Sequence, residues 1–193
     1  RRQRQMCIRD SNNIINLFAQ RNYSLRMARE DREYRIAGLV ETKQKWVKGF
    51  KWLWSDIDIT LMMTDPFVYA TADTVVNIPF TENQTDKVVS LYNDSAIDVP
   101  LIFDFIPMAD TPMDNVKIMH TDSGEQMQLT DSLLSYPHKA RVDGNVGTVR
   151  RDNDNSINTF SGVFLHALPG RNEFKFTCPA GQVKIIYRAR WFI

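Results

Sequence analysis

The hydrophobic pattern of this chain changes period once, near its start. Ile14, Ile15, Leu17 and Phe18 recur at helical spacing behind Ser11, a good N-cap, and predict a short helix ending near Asn22. From Tyr23 onward the period is two. Tyr34, Ile36 and Gly38 alternate with Arg35, Ala37 and Leu39, residues 43–51 read as an exposed loop or wide hairpin, and Leu53, Ile57, Ile59, Leu61 and Met63 line one face of a long strand. That strand is predicted to stop at Thr64-Asp65-Pro66, because proline has no N–H for the ladder and restricts the residue before it. Short strands follow at 75–80, 88–92, 99–105, 116–120 and 126–130, with turns at Asp122-Ser-Gly124, Asp143-Gly-Asn145 and residues 152–156.

The chain ends on a hairpin. Pro169-Gly170 launches a strand in which Phe174 and Phe176 oppose Glu173 and Lys175. After Ala180-Gly181 a second strand is predicted almost to the last residue, with Val183, Ile185, Tyr187, Ala189 and Trp191 opposite Lys184, Arg188 and Arg190. Many short strands with turns between them predict a mainly β protein. The expected organisation is an N-terminal strand-rich domain with one short helix over residues 1–69 and a C-terminal antiparallel β-sandwich or jelly roll over 70–193, divided at Asp65-Pro-Phe-Val-Tyr69.

Composition narrows the class without naming a function. Hydrophobic residues make up 43% and charged residues 24% of 193 positions, ordinary for a globular protein. No apolar run approaches the ~20 residues needed to cross a bilayer, and no signal peptide is expected behind Arg1. The net charge of +1 hides an asymmetry: residues 1–51 carry 13 Lys and Arg against five Asp and Glu, and the remainder carries 11 against 18. Such polarity suits a subunit whose positive part meets a neighbour's negative part; a nucleic-acid arm is the weaker reading. Cys7 and Cys178 form no Cys-x-x-Cys or Cys/His cluster and read as separate reduced thiols.

Motifs of catalysis are missing. His120, His138 and His166 lie far apart outside any metal-ligand spacing, so they read as structural residues. Asp56 and Asp58 are neighbours on one strand face, whereas a glycosidase pair faces across a cleft. Gly-x-Ser-x-Gly, Gly-x-Gly-x-x-Gly and Gly-Lys-Ser/Thr loops are absent, and Asp152-Asn-Asp-Asn155 lacks the glycine and closing glutamate of a calcium loop. No enzyme activity, cofactor or metal is expected. Trp46, Phe50, Trp52 and Trp54 crowd among Lys45, Lys48 and Lys51. They are open to three readings: stacking on single-stranded bases, an interface anchor, or alternate packing into a core. Trp46, Phe50, Lys51 and Trp52 are the candidate subunit-interface residues.

Two blocks resemble the distal tail (Dit) proteins of long-tailed, siphovirus-type bacteriophages. One is Tyr34-Arg-Ile-Ala-Gly38 with Ile57-Asp-Ile-Thr-Leu-Met-Met-Thr-Asp-Pro-Phe67 and Tyr69. The other runs from Asn93-Asp-Ser-Ala-Ile-Asp-Val-Pro-Leu-Ile-Phe103 through 116–129 to the Leu168-Pro-Gly-Arg-Asn172 hairpin. The resemblance spans residues 9–193, and the family usually has further strands before the helix. It implies a structural protein of the virion tail tip, assembled in the host cytoplasm. Its N-terminal domains would close a ring, usually of six subunits, and its galectin-like C-terminal domains would project outward. The partners implied are further copies of itself, the tail tube protein, the tail hub or tip protein and receptor-binding proteins, with no membrane segment and no nucleic acid. The alternative is a stand-alone carbohydrate-binding β-sandwich module, for which His166 and Trp191 are loose candidates.

Overall fold

The computed structural model describes residues 12–27, 31–46, 55–109 and 111–193. The protein is mainly β, and the chain divides into two compact units. One reaches to Thr71 and regains Phe192–Ile193; the other is Ala72–Trp191.

In the first unit a helix occupies residues 12–18. Ile15 and Phe18 are half-buried while Ile14 and Leu17 are exposed, so half of the predicted stripe stays in solvent. The helix stops earlier than predicted because Asn22 adopts a left-handed φ of 54° and gives its N–H to Ala37 O at 3.3 Å. Three strands follow, β1 (Tyr23–Met27), β2 (Arg32–Trp46) and β3 (Ser55–Ala70). They pair antiparallel in sequence order around buried Ile36, Val68 and Tyr69. Residues 43–46, predicted as loop, continue β2 as far as a pairing of Trp46 with Ser55.

The strand also passes straight through Pro66, where a stop was predicted. Ile36 pairs with Met63 and Tyr34 with Val68, so Arg35 alone opposes residues 64–67. Proline sits in that bulge, where no ladder N–H is required of it. Asp65 holds the bulge together: its carboxylate accepts the Phe67 N–H at 3.1 Å and the Tyr69 hydroxyl at 2.8 Å.

The second unit is an antiparallel sandwich. Its strands are β4 (Thr74–Phe80), β5 (Gln84–Asn93), β6 (Val99–Pro100), β7 (Ile102–Pro107), β8 (Asn115–His120), β9 (Gln126–Thr130), β10 (Ala140–Asp143), β11 (Thr148–Arg151), β12 (Asp154–Asn155), β13 (Phe160–Gly162), β14 (His166–Ala167), β15 (Gly170–Cys178) and β16 (Gly181–Tyr187). One sheet has the order β12-β11-β10-β7-β16-β4, the other β13-β9-β8-β15-β5, and β14 pairs with β6 alone. Each long strand alternates buried and open positions, as a two-layer fold demands. Phe103, Phe105, Val183 and Ile185 of the six-stranded sheet join Ile118, Met127, Phe174 and Phe176 of the five-stranded sheet in one core. Phe80 and Phe176 meet across it with ring centroids 5.8 Å apart.

Two differences from expectation concern the second unit. β10 buries only Ala140 and Val142 and β11 only Val149, too few to give a periodic signal in the sequence. The last strand is not continuous. β16 ends at Tyr187, which is paired with Thr74, the first residue of β4. Arg190 N–H is then captured by Ser95 Oγ at 2.9 Å. The following strand, β17 (Arg190–Phe192), belongs to the sheet ordered β1-β2-β3-β17. Phe192, in the first unit, lies 5.5 Å from the Phe67 ring.

These contacts set two stability predictions. Phe103 is fully buried, and Phe103→Ala should cost about 3–5 kcal/mol in denaturant unfolding. Asp131, whose side chain is 3% exposed, is held at 2.7 and 2.8 Å by Arg151 Nη1. Arg151→Ala strands that buried carboxylate and should cost about 3–5 kcal/mol, whereas the double substitution Asp131→Leu, Arg151→Met should cost less. A double variant as unstable as the single one would show that the strain lies elsewhere.

Candidate functional site

The three histidines are dispersed in the fold as they are in the sequence. His120, at the end of β8, is buried; its Nδ1 lies 2.8 Å from Ser123 Oγ and its Nε2 3.0 Å from Asn172 Oδ1. An amide oxygen only accepts, so Nε2 carries the proton and Nδ1 accepts from the serine hydroxyl. A hydroxyl, an imidazole and an orienting amide in a row have the outline of a nucleophilic triad. The surroundings make it a turn closure instead. The N–H groups after the serine, the nearest oxyanion donors, are engaged: Gly124 N–H with His120 O at 2.9 Å and Glu125 N–H with Ser123 Oγ at 3.3 Å. Asn172 is committed to the hairpin entrance, its Oδ1 accepting from Leu168 N–H at 2.7 Å and its Nδ2 donating to Leu168 O and Gly170 O. Sequence reading passed over this cluster because its members are 52 positions apart.

His138 is exposed, and its Nδ1 lies 2.7 Å from Asp152 Oδ2. That hydrogen bond, followed by one from Lys139 N–H, holds the Asp152 carboxyl below its ordinary range. His166 is half-buried in β14. Among the described residues no group of three or more His, Cys, Asp or Glu is arranged to hold a metal ion. Cys178 is free and buried, and burial pushes its thiol up to about 12, so it stays protonated at neutral pH. Cys7 lies outside the described residues.

An open groove of about 820 Å³ lies on the outer face of the six-stranded sheet. Its floor is one cross-strand row. Lys184 of β16 stands opposite Asp104 of β7, Asp104 opposite Arg141 of β10, and Arg141 opposite Arg150 of β11. Arg141 grips Asp104 with two parallel bonds, Nε to Oδ1 at 2.6 Å and Nη2 to Oδ2 at 2.7 Å, and this pairing raises the guanidinium's pKa further. Lys139, Asp143 and Asp152 stand at the rim with Ile106 and Val146. No aromatic ring lines the groove, so it lacks the platform on which a sugar would stack.

Of the predicted interface residues, only the backbone of Trp46 is described. Trp46 closes β2, and its side chain, with Phe50, Lys51 and Trp52, lies outside the described residues. The ribbon leading there is described. Half-buried Thr42, Ile57, Ile59 and Leu61 share its apolar face, while Lys45 Nζ and Asp58 Oδ2 meet at 3.3 Å on the opposite, charged face. Asp56 and Asp58 are thus solvated strand-face residues.

No protein-family model matches the chain, and no curated protein matches it. Among solved structures it is similar to the phage SPP1 Dit protein, described as a paradigm of the hub adsorption apparatus in phages that infect Gram-positive hosts. The TM-score is 0.68 at 11% identity, covering 94% of this chain and 71% of that one. It is also matched to the phage P2 baseplate in its activated conformation with Ca, at TM-score 0.43 and 10% identity over 97% of this chain and 74% of that one. The chain therefore has the fold of the SPP1 Dit protein.

Proposed function

We propose that this protein is a non-enzymatic structural subunit of a phage tail tip. In this reading it is a distal tail protein whose first unit, taken as residues 1–69, builds a ring of six copies. The ring joins the tail tube to the hub and to receptor-binding components of the virion. The second unit, taken as residues 70–193 with a galectin-like topology, faces outward. The tail assignment is supported by the shared fold.

The ring rests on one observation, the half-buried apolar face of the long two-stranded β2–β3 ribbon. β1 pairs only with Arg32–Ile36, and Phe192 of β17 sits at Phe67. From the Gly38–Met62 pair outward, β2 and β3 pair with each other as far as Trp46 and Ser55. A two-stranded ribbon is marginal in water, because its apolar face has nothing to pack on. Docking Ile57, Ile59 and Leu61 on a second copy would bury the part of each that is still accessible. Repeating the contact head to tail closes a ring, since such a contact is heterologous. Trp46, Phe50, Lys51 and Trp52 would lie at or beside this contact.

Light scattering over a range of concentration tests the reading. The unmodified chain should give a discrete species of about six chain masses, and Ile59→Asp should return it to monomer with the second unit still folded. Trp46→Ala and Trp52→Ala should weaken assembly rather than lower the melting temperature of the monomer. A strict monomer at every concentration, or an Ile59→Asp variant that assembles normally, would sink the ring.

A further inference from the structure

The outer groove of the six-stranded sheet contains a charge arrangement that the fold does not need. Arg141 and Arg150 stand directly opposite each other on β10 and β11. Like charges at directly opposed positions destabilise a sheet, and only one of the two is compensated. Arg141 is bound to Asp104; among the described residues no acidic side chain lies within 4.0 Å of Arg150, Lys184 or Lys139. The other two acids of the lining keep their charge but hydrogen-bond outside the row. Asp152 accepts from His138 and from Lys139 N–H, and Asp143 accepts the Asn145 N–H at 2.9 Å. The lining holds Lys139, Arg141, Arg150 and Lys184 against Asp104, Asp143 and Asp152, a small positive excess in which Arg150 and Lys184 are cations left without an ion pair among the described residues.

We infer that this groove docks an extended, acidic segment of a partner protein, lying across the strands. The spacing of the cations selects the ligand. Lys184 and Arg150 are three strand intervals apart, from β16 through β7 and β10 to β11, which is about 14 Å at ~4.8 Å per interval. In an extended peptide, residues i and i+4 are separated by about 13–14 Å and point to the same side. Carboxylates at those two positions meet Lys184 and Arg150, while position i+2 falls midway between Asp104 and Arg141. Ile106 and Val146 offer apolar contact for the backbone between them. The site is independent of ring closure, so its failure leaves the ring untouched, and light scattering on the same variants separates the two.

The test is fluorescence anisotropy on the full chain at low ionic strength, with a fluorescein-labelled Ser-Glu-Ser-Glu-Ser-Glu peptide. Saturable binding is expected, weakened at least fivefold by Arg150→Glu and by Lys184→Glu and less than twofold by Lys117→Glu on the outer face of the opposite sheet. Arg150→Gln, which removes the charge without reversing it, should fall between. A peptide with three consecutive Glu should bind more weakly than the alternating one. Equal losses for Lys117→Glu would reduce the effect to general attraction of polyanions and overturn the site. Unchanged binding in Arg150→Glu would overturn it directly, and tighter binding of polygalacturonate at the same residues would reassign the groove to an acidic glycan.

Discussion

The sandwich depends on the strands that come last in the chain. β15 lies between β8 and β5 in one sheet, and β16 lies between β7 and β4 in the other. Each supplies two ladders, so neither sheet is continuous until residues 170–187 are in place. The link between them crosses from layer to layer through Pro179-Ala180-Gly181, and it has almost no room. A Cβ on Gly181 would lie 2.5 Å from Met113 Sδ and 2.9 Å from Ile106 O, so a side chain there would push β16 off β7. Ala180 N–H is held by Asn83 Oδ1 at 3.1 Å, 97 positions away. Contacts of that range make closure a late event, since the loop entropy is lost before the reward arrives.

The same hairpin explains why His120 and Asn172 are polar in an apolar core. Asn172 is wholly buried where the chain must turn from β14 into β15, and its amide takes up the backbone groups of Leu168 and Gly170 that a buried turn would leave unsatisfied. His120 then uses the remaining capacity of the amide oxygen, and the Phe174 ring lies 4.7 Å from the imidazole. Imidazole, hydroxyl and amide thus close two turns at once, and none of their hydrogen-bonding groups is left for chemistry. A triad outline in a strand-rich protein has to be judged by where its donors and acceptors are already committed.

The fold was legible wherever burial is one-sided and strands are long. Period two over residues 34–39 and 57–63, and again over 174–187, marked strands that the structure contains, because each has one face on a core. The errors came from features that period does not encode. Pro66 is tolerated because a bulge excuses it from the ladder, which depends on the partner strand and is invisible in β3 alone. β10 and β11 have outer faces of Arg141, Asp143, Thr148 and Arg150, so buried Ala140, Val142 and Val149 could not outweigh the polar ones. The final strand breaks after Tyr187 because its partner β4 begins at Thr74, and the Arg190 N–H goes to Ser95 Oγ instead of continuing that ladder. The groove was illegible for a related reason: Lys184, Asp104, Arg141 and Arg150 are scattered in sequence, and only the cross-strand register makes a row of them.

The two proposed contacts follow from different physics, and the charge distribution separates them. The positive excess of residues 1–51 suggests electrostatic docking between subunits, yet the described ribbon largely neutralises itself. Lys43 pairs with Glu41 at 3.0 Å and Lys45 with Asp58 at 3.3 Å, both in solvent, where such pairs contribute little and are screened by salt. What the ribbon has left to offer a neighbour is the row Ile57, Ile59 and Leu61, so burial of apolar area is the force available for closing a ring there. The groove is the reverse case. Its apolar residues are few, and Arg150 and Lys184 have no ion-pair partner among the described residues, so a ligand is selected by charge and spacing, and its binding should fade as salt rises. A subunit built this way can hold a ring by a contact that salt barely touches while exchanging a peripheral partner through one that salt controls.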